Sequence, residues 1–117
     1  MWIAIAAVSG TLAVAAGAFG AHGLRGSVTA DQAAAWATAS QYHLLHSIVL
    51  LALGLFAGAT GRSIQWPATL FGLGIVLFSG SIYLGVLTPL RGLGPITPLG
   101  GVCLIAGWLS LLALART

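Results

Sequence analysis

The sequence predicts an all-α integral membrane protein, a four-helix antiparallel transmembrane bundle forming one domain. Three observations carry that expectation. Of 117 residues, 59% are hydrophobic and only 4% are charged, and the mean hydropathy is +1.07. A soluble domain carries about 25% charged residues, and four arginines and one aspartate cannot cover a water-facing surface. Apolar runs long enough to span a bilayer also recur four times, separated by glycine- and proline-bearing segments. The length leaves no room for a second domain.

The first run, residues 1–21, is apolar throughout. Its Ala-Phe-Gly-Ala stretch imitates a signal-peptide cleavage site, but it has no basic leading region and its apolar run is too long, so a retained helix is expected. Ala6, Gly10, Ala13, Gly17 and Gly20 recur at spacings of three and four, giving a small-residue stripe for close helix contact. Gly23 and Gly26 then turn the chain. Thr29 and Gln32 have the spacing of a capping box, with Asp31 in the first turn, so a second helix is expected over 30–59. At 1.5 Å per residue that helix exceeds a hydrocarbon core of about 30 Å, so its first turns must project, lie in the interface or kink. Trp36 and Tyr42 suit the interface.

On a 3.6-residue period, Trp36, Ser40, His43, Ser47, Leu50, Gly54 and Gly58 share one stripe of this helix, with His46 on its flank. Leu45, Ile48, Val49, Ala52, Leu55 and Phe56 lie opposite and should face lipid. A short second loop makes helices 2 and 3 antiparallel neighbours. Helix 3 is expected over 64–87, capped by Ser63, with Pro67 in its first turn. It bears small or polar residues on two sides, Gly72, Ser79 and Tyr83 on one and Gly74, Ser81 and Gly85 on the other. Contacts with partners on both sides are expected from this. Thr97 followed by Pro98 reads as an N-cap with proline at the first helical position, so helix 4 is expected over 97–115, with Gly100, Cys103, Gly107 and Ser110 as its small stripe. The helix-packing glycines on this reading are Gly10, Gly17, Gly54, Gly58, Gly72, Gly100 and Gly107.

The net charge of +3 does not indicate nucleic acid. Arg25, Arg62, Arg91 and Arg116 sit singly, as membrane-interface anchors do. They divide two and two between the sides of the membrane, so they assign no orientation. Cys103 is the single cysteine and cannot form an intrachain disulfide.

His43 and His46 lie one turn apart, and His22 ends helix 1 at the boundary where helix 2 enters. The three histidines are therefore expected in one boundary-level cluster, with Tyr42, Ser47, Ser79, Tyr83 and Thr97 within reach. Such a cluster can lock the helices through hydrogen bonds, hold Zn, Cu or haem, or relay protons. Locking is the ordinary role, and no cofactor is expected. Ser40, Ser47, Ser79 and Ser81 are poor nucleophile candidates, because no Gly-x-Ser-x-Gly elbow exists. No phosphate loop, Cys-x-x-Cys or carboxylate pair is present either.

Several motifs together resemble a known family: Gly17-Ala18-Phe19-Gly20-Ala21-His22-Gly23, Tyr42-His43-Leu44-Leu45-His46-Ser47, Phe78-Ser79-Gly80-Ser81-Ile82-Tyr83, and Thr97-Pro98-Leu99-Gly100-Gly101 with Gly107-Trp108-Leu109. The chain is similar to the small membrane proteins of the transmembrane protein 256 family, also called domain of unknown function 423. The resemblance implies a four-helix membrane protein, in bacteria of the plasma membrane, and implies no activity. Its motif positions here are His22, His46, Ser79, Ser81, Tyr83, Pro98 and Gly101.

Three function classes are compatible with these features. The first is a non-enzymatic scaffold or assembly subunit, as a homo-oligomer or within a larger membrane complex, with the lipid bilayer as its surroundings. The second is a proton or small-solute conduit lined by Ser79, Tyr83, His43 and Ser47. The third is a metal- or haem-binding accessory.

Overall fold

The computed structural model describes residues 1–90 and 92–116. Arg91, one of the four arginines in the charge balance, lies outside the described residues. Four helices long and apolar enough to cross a membrane span Trp2–His22, Ala30–Thr60, Gln65–Leu87 and Ile96–Ala113. They are numbered helices 1 to 4 in chain order.

Helix 1, with 21 residues, is about 31 Å long at 1.5 Å per residue, which matches a hydrocarbon core of about 30 Å. Its end at His22 therefore sets the boundary level on the first-loop side. Helix 2 starts with the capping box: Thr29 Oγ1 accepts from the Gln32 amide, and the Thr29 amide donates to Gln32 Oε1. It stops at Gly61, whose φ of 72° is the left-handed conformation that only glycine takes without strain, and whose amide donates to the Ala57 carbonyl.

Two expected caps differ. Ile64, not Ser63, occupies the N-cap of helix 3, and Ser63 Oγ only accepts from the Gln65 amide at 3.4 Å. Helix 4 begins at Ile96, one residue before Thr97, because the Ile96 amide already closes a turn on the Leu93 carbonyl. Thr97 is then inside the helix and its hydroxyl meets Ser81 Oγ at 2.5 Å. Pro98 stays within the first turn, where its missing N–H leaves no bond unmade. Helix 3 also contains a π turn, Ile75–Ser79, within a stretch whose sequence reads as plain helix. Such a turn inserts one residue and re-aims the side chains beyond it.

The packing is sequential. Helix 1 lies on helix 2, helix 4 lies on helix 3, and helices 2 and 3 form the seam. The backbone of helix 1 stays apart from helices 3 and 4 over most of its length. The molecule is accordingly thin, 51 × 26 × 18 Å, and it carries a groove on either side of the seam. Helices 1 and 2 keep one antiparallel register, with Gly20 against Trp36, Gly17 against Ser40, Gly10 against Ser47 and Gly54 against Ile3. The core, Ala6, Leu50, Leu53, Ile64, Ala68, Phe71, Ile75 and Leu104, sits toward the second-loop end. Val49 and Phe56, expected to face lipid, pack against it, because helices 3 and 4 curl over that side of helix 2.

Gly100 and Gly107 carry the contact between helices 3 and 4. A Cβ at Gly100 would fall on the Leu77–Phe78 backbone, and one at Gly107 would stand 2.9 Å from the Phe71 ring. Gly72 approaches Trp2 at 3.9 Å. Gly58 is a correction: nothing lies within 4 Å of its would-be Cβ. The register puts Gly54 opposite Ile3, so Gly58 rises one turn beyond helix 1. Gly20 against Trp36 and Gly74 against Leu104 are tighter contacts than several of the glycines expected to pack.

Candidate functional site

Polar side chains tie all four helices together. Trp36, buried at the end of helix 2 nearest the first loop, donates its indole N–H to the Ala16 carbonyl of helix 1 at 2.7 Å. Ser79, on the π turn, donates to the Ala39 carbonyl of helix 2 at 2.7 Å. Ser81 and Thr97 join helices 3 and 4. His46 Nδ1 lies 2.7 Å from the Tyr42 carbonyl, and Trp108 of helix 4 donates to His46 Nε2 at 3.1 Å. His43 joins three helices: Nδ1 is 3.0 Å from Tyr83 Oη of helix 3, and Nε2 is 3.1 Å from Ser9 Oγ of helix 1.

Proton bookkeeping fixes both rings. Ser47 spends its one hydroxyl proton on the His43 carbonyl at 2.7 Å, so across the 2.6 Å Ser9–Ser47 contact Ser9 is the donor. Ser9 has then no proton for His43, so His43 Nε2 carries the hydrogen and Nδ1 accepts from Tyr83. His46 is the reverse tautomer, with Nδ1–H donating to a carbonyl and Nε2 accepting from Trp108. Each neutral imidazole thus has its lone pair engaged by a protein donor. Among the described residues no buried side-chain nitrogen or oxygen lacks a partner.

The sequence-predicted cluster therefore divides. His43, Ser47 and Tyr83 share one network. His46 joins the Tyr42 carbonyl and Trp108 in another, on the opposite side of the seam. Ser79 and Thr97 make separate bonds. His22 joins neither and is exposed. The helix 1–helix 2 register sets it level with about residue 35, so it stands roughly 12 Å in height from His43 and roughly 16 Å from His46. The expected boundary-level trio is corrected on that ground: helix 1 ends at the boundary, whereas His43 and His46 are two to three turns deeper. No three His, Cys, Asp or Glu side chains among the described residues come together as a metal set.

Ser9 and Trp108 are site residues that sequence reasoning misses. Ser9 lies on the same face as Ala6 and Ala13, a signal that spacing contains. Nothing local marks Trp108 as the partner of a histidine 62 positions away. Gln41 is missed as well, although its amide is a strongly polar group on an exposed part of a membrane helix.

The two small faces of helix 3 are used within the chain except at Gly85, around which the space is open. Ser79 and Tyr83 meet helix 2, and Gly74 and Ser81 meet helix 4.

Comparison with known proteins places this architecture in a lineage. A family model described as "Protein of unknown function (DUF423)" matches residues 16–101. A UPF0382 membrane protein of Staphylococcus aureus (strain bovine RF122 / ET3-1) is 41% identical over 112 residues, covering 96% of this chain and 92% of the relative. A UPF0382 membrane protein of Staphylococcus saprophyticus is 43% identical, covering 95% and 92%, and one of Staphylococcus epidermidis is 44% identical, covering 95% and 91%. No solved structure matches the chain. Four apolar helices agree with relatives that are named bacterial membrane proteins, and the chain belongs to the DUF423 family.

Proposed function

We propose that the protein is a non-enzymatic assembly subunit of the membrane, acting as a homo-oligomer that docks through helix 2. One observation carries this reading. Thr38, Gln41, Tyr42 and Leu45 follow the i, i+3, i+4, i+7 spacing of one helix face, and all four are exposed. The side chains of Thr38 and Gln41 and the hydroxyl of Tyr42 make no hydrogen bond among the described residues. By the register with helix 1 they lie roughly 4 to 10 Å inside the boundary. There an unpaired amide or hydroxyl is costly, and a neighbouring helix supplies the missing partners. The engagement of the buried polar groups supports the non-catalytic part of the reading, because neither buried histidine, His43 nor His46, has a lone pair left over for acid–base or metal chemistry.

A second copy in the same membrane orientation, related by a two-fold axis along the membrane normal, brings each stripe against itself. The test is Leu45→Cys in nanodiscs with mild oxidation, beside native mass spectrometry of the unmodified chain. A disulfide-linked dimer is expected, together with a dimeric mass that Gln41→Leu combined with Tyr42→Phe reduces. A monomeric mass with no cross-link overturns the reading.

A further inference from the structure

The groove on the other side of the seam lies between helices 1 and 3, with His43 of helix 2 on its floor. It is an open groove of about 920 Å³, a volume within the range of roughly 300–1,000 Å³ typical of ligand sites. It runs from Phe19 and Leu87 at the first-loop end to Met1 at the other. The walls are almost wholly apolar, with Ile5, Val8 and Leu12 facing Gly72, Val76 and Gly80. The polar exceptions are Ser9, His43, Ser79 and Tyr83, with the Trp36 ring packed on Tyr83 at 4.6 Å.

The hydrogen directions limit what these groups can still offer. The Tyr83 proton is committed to His43 Nδ1, that of Ser9 to Ser47, that of Ser79 to the Ala39 carbonyl, and the His43 ring proton to Ser9. Every donor among these four side chains is spent. Acceptor capacity remains, above all on Tyr83 Oη, which receives no hydrogen bond among the described residues. A ligand with an acceptor head would have to break the Tyr83–His43 bond. A ligand with a donor head would extend the chain without breaking anything. Tyr83 lies one turn before the end of helix 3 at Leu87, and its Oη, 3.0 Å from His43 Nδ1, reaches down from the membrane boundary toward the depth of that ring. From there to Gly72 the groove offers roughly 16 Å of apolar length.

We propose that this groove binds a single-chain lipid whose polar end donates a hydrogen bond, such as a long-chain alcohol or monoacylglycerol. Its hydroxyl donates to Tyr83 Oη, and its tail lies between helices 1 and 3 toward Met1. The surface is separate from the Thr38–Gln41–Tyr42 face of helix 2, so this inference stands apart from the assembly reading.

The test uses nanodiscs and hexadecanol bearing a diazirine in its tail. Unlabelled hexadecanol and its methyl ether, which has the same chain and no donor, serve as competitors. Labelling is expected on the facing residues of helices 1 and 3, and the ether should compete roughly fivefold less well than the alcohol. Tyr83→Phe should erase that difference. Val76→Trp, at an exposed wall position that leaves the network untouched, should abolish labelling. Equal competition by alcohol and ether in the unmodified protein overturns the proposal. Labelling spread evenly over the lipid-facing helix surfaces, or a groove closed by a second copy as shown by Val8→Cys cross-links, overturns it as well.

Discussion

The phenol oxygen of Tyr83 lies 3.0 Å from Nδ1 of His43, and the bond runs from the phenol to the ring. That direction is set at the far end of the network by Ser47, whose only proton goes to the His43 carbonyl. The chain Tyr83, His43, Ser9, Ser47 is therefore directional from helix 3 to helix 1 and back to helix 2.

Two neutral histidines one turn apart should then show opposite tautomers. Nitrogen-15 spectra of histidine-labelled protein in nanodiscs are expected to show His43 protonated at Nε2 and His46 at Nδ1, with assignments from His43→Gln and His46→Gln. The same tautomer in both rings would contradict the hydrogen bookkeeping.

The glycines make a second prediction, because two of them differ so plainly in surroundings. A Cβ at Gly100 would stand 2.7 Å from the Leu77 carbonyl carbon, a backbone atom that cannot swing aside, whereas the space around Gly58 is open. Gly100→Ala should destabilise by about 1–3 kcal/mol, as overpacked cores do. Gly58→Ala should be neutral or slightly stabilising, since alanine is the better helix former. Thermal unfolding in one detergent measures both, and equal midpoints would count against the close approach of helices 3 and 4.

How far the sequence reveals this structure varies by scale. Span number, the capping box at Thr29 and Gln32, and the inward stripe from Trp36 to Gly54 are local signals, and periodicity carries them. The depth of His43 and His46 relative to His22 is not local. It depends on where helix 1 stops against helix 2, and the long projecting end of helix 2 hides that level. The split of the two histidines across the seam is equally hidden, because a spacing of three puts side chains about 60° apart. That is near enough to share a stripe on paper and far enough to meet different helices. The π turn in Ile75–Ser79 carries no residue signature. Trp108 owes its role to the docking of helix 4, which no spacing within helix 2 can report.

Arg62 offers a prediction at the opposite end of the molecule. Its guanidinium donates to the Leu114 carbonyl at 2.8 Å and the Ala113 carbonyl at 3.3 Å. Those groups end helix 4, where carbonyls lack intrahelical donors and the helix dipole favours a cation. Arg62→Ala should fray the last turn of helix 4, raising amide hydrogen exchange at Leu111 to Ala115 while leaving helices 1 and 2 unchanged. The site is exposed, so the stability change should stay within about 1 kcal/mol. Unaltered exchange in that turn would mean the two bonds do not persist in the membrane.

The His46–Trp108 bond provides the last prediction, because it separates locking from metal binding. Trp108 donates to Nε2 at 3.1 Å, and its ring also meets Phe71 edge-on at 5.4 Å. Trp108→Phe removes the N–H and keeps an aromatic ring, leaving an imidazole lone pair unpaired near the middle of the membrane. Interhelical bonds of this kind average about 0.6 kcal/mol, so a small fall in unfolding midpoint is expected. His46→Ala removes both bonds and the ring contact with Phe71 at 5.7 Å, and should cost more. If locking is the role of His46, a chelator leaves the midpoint of the unmodified protein where it was. A chelator-induced fall that His46→Ala abolishes would reassign His46 from helix lock to metal ligand.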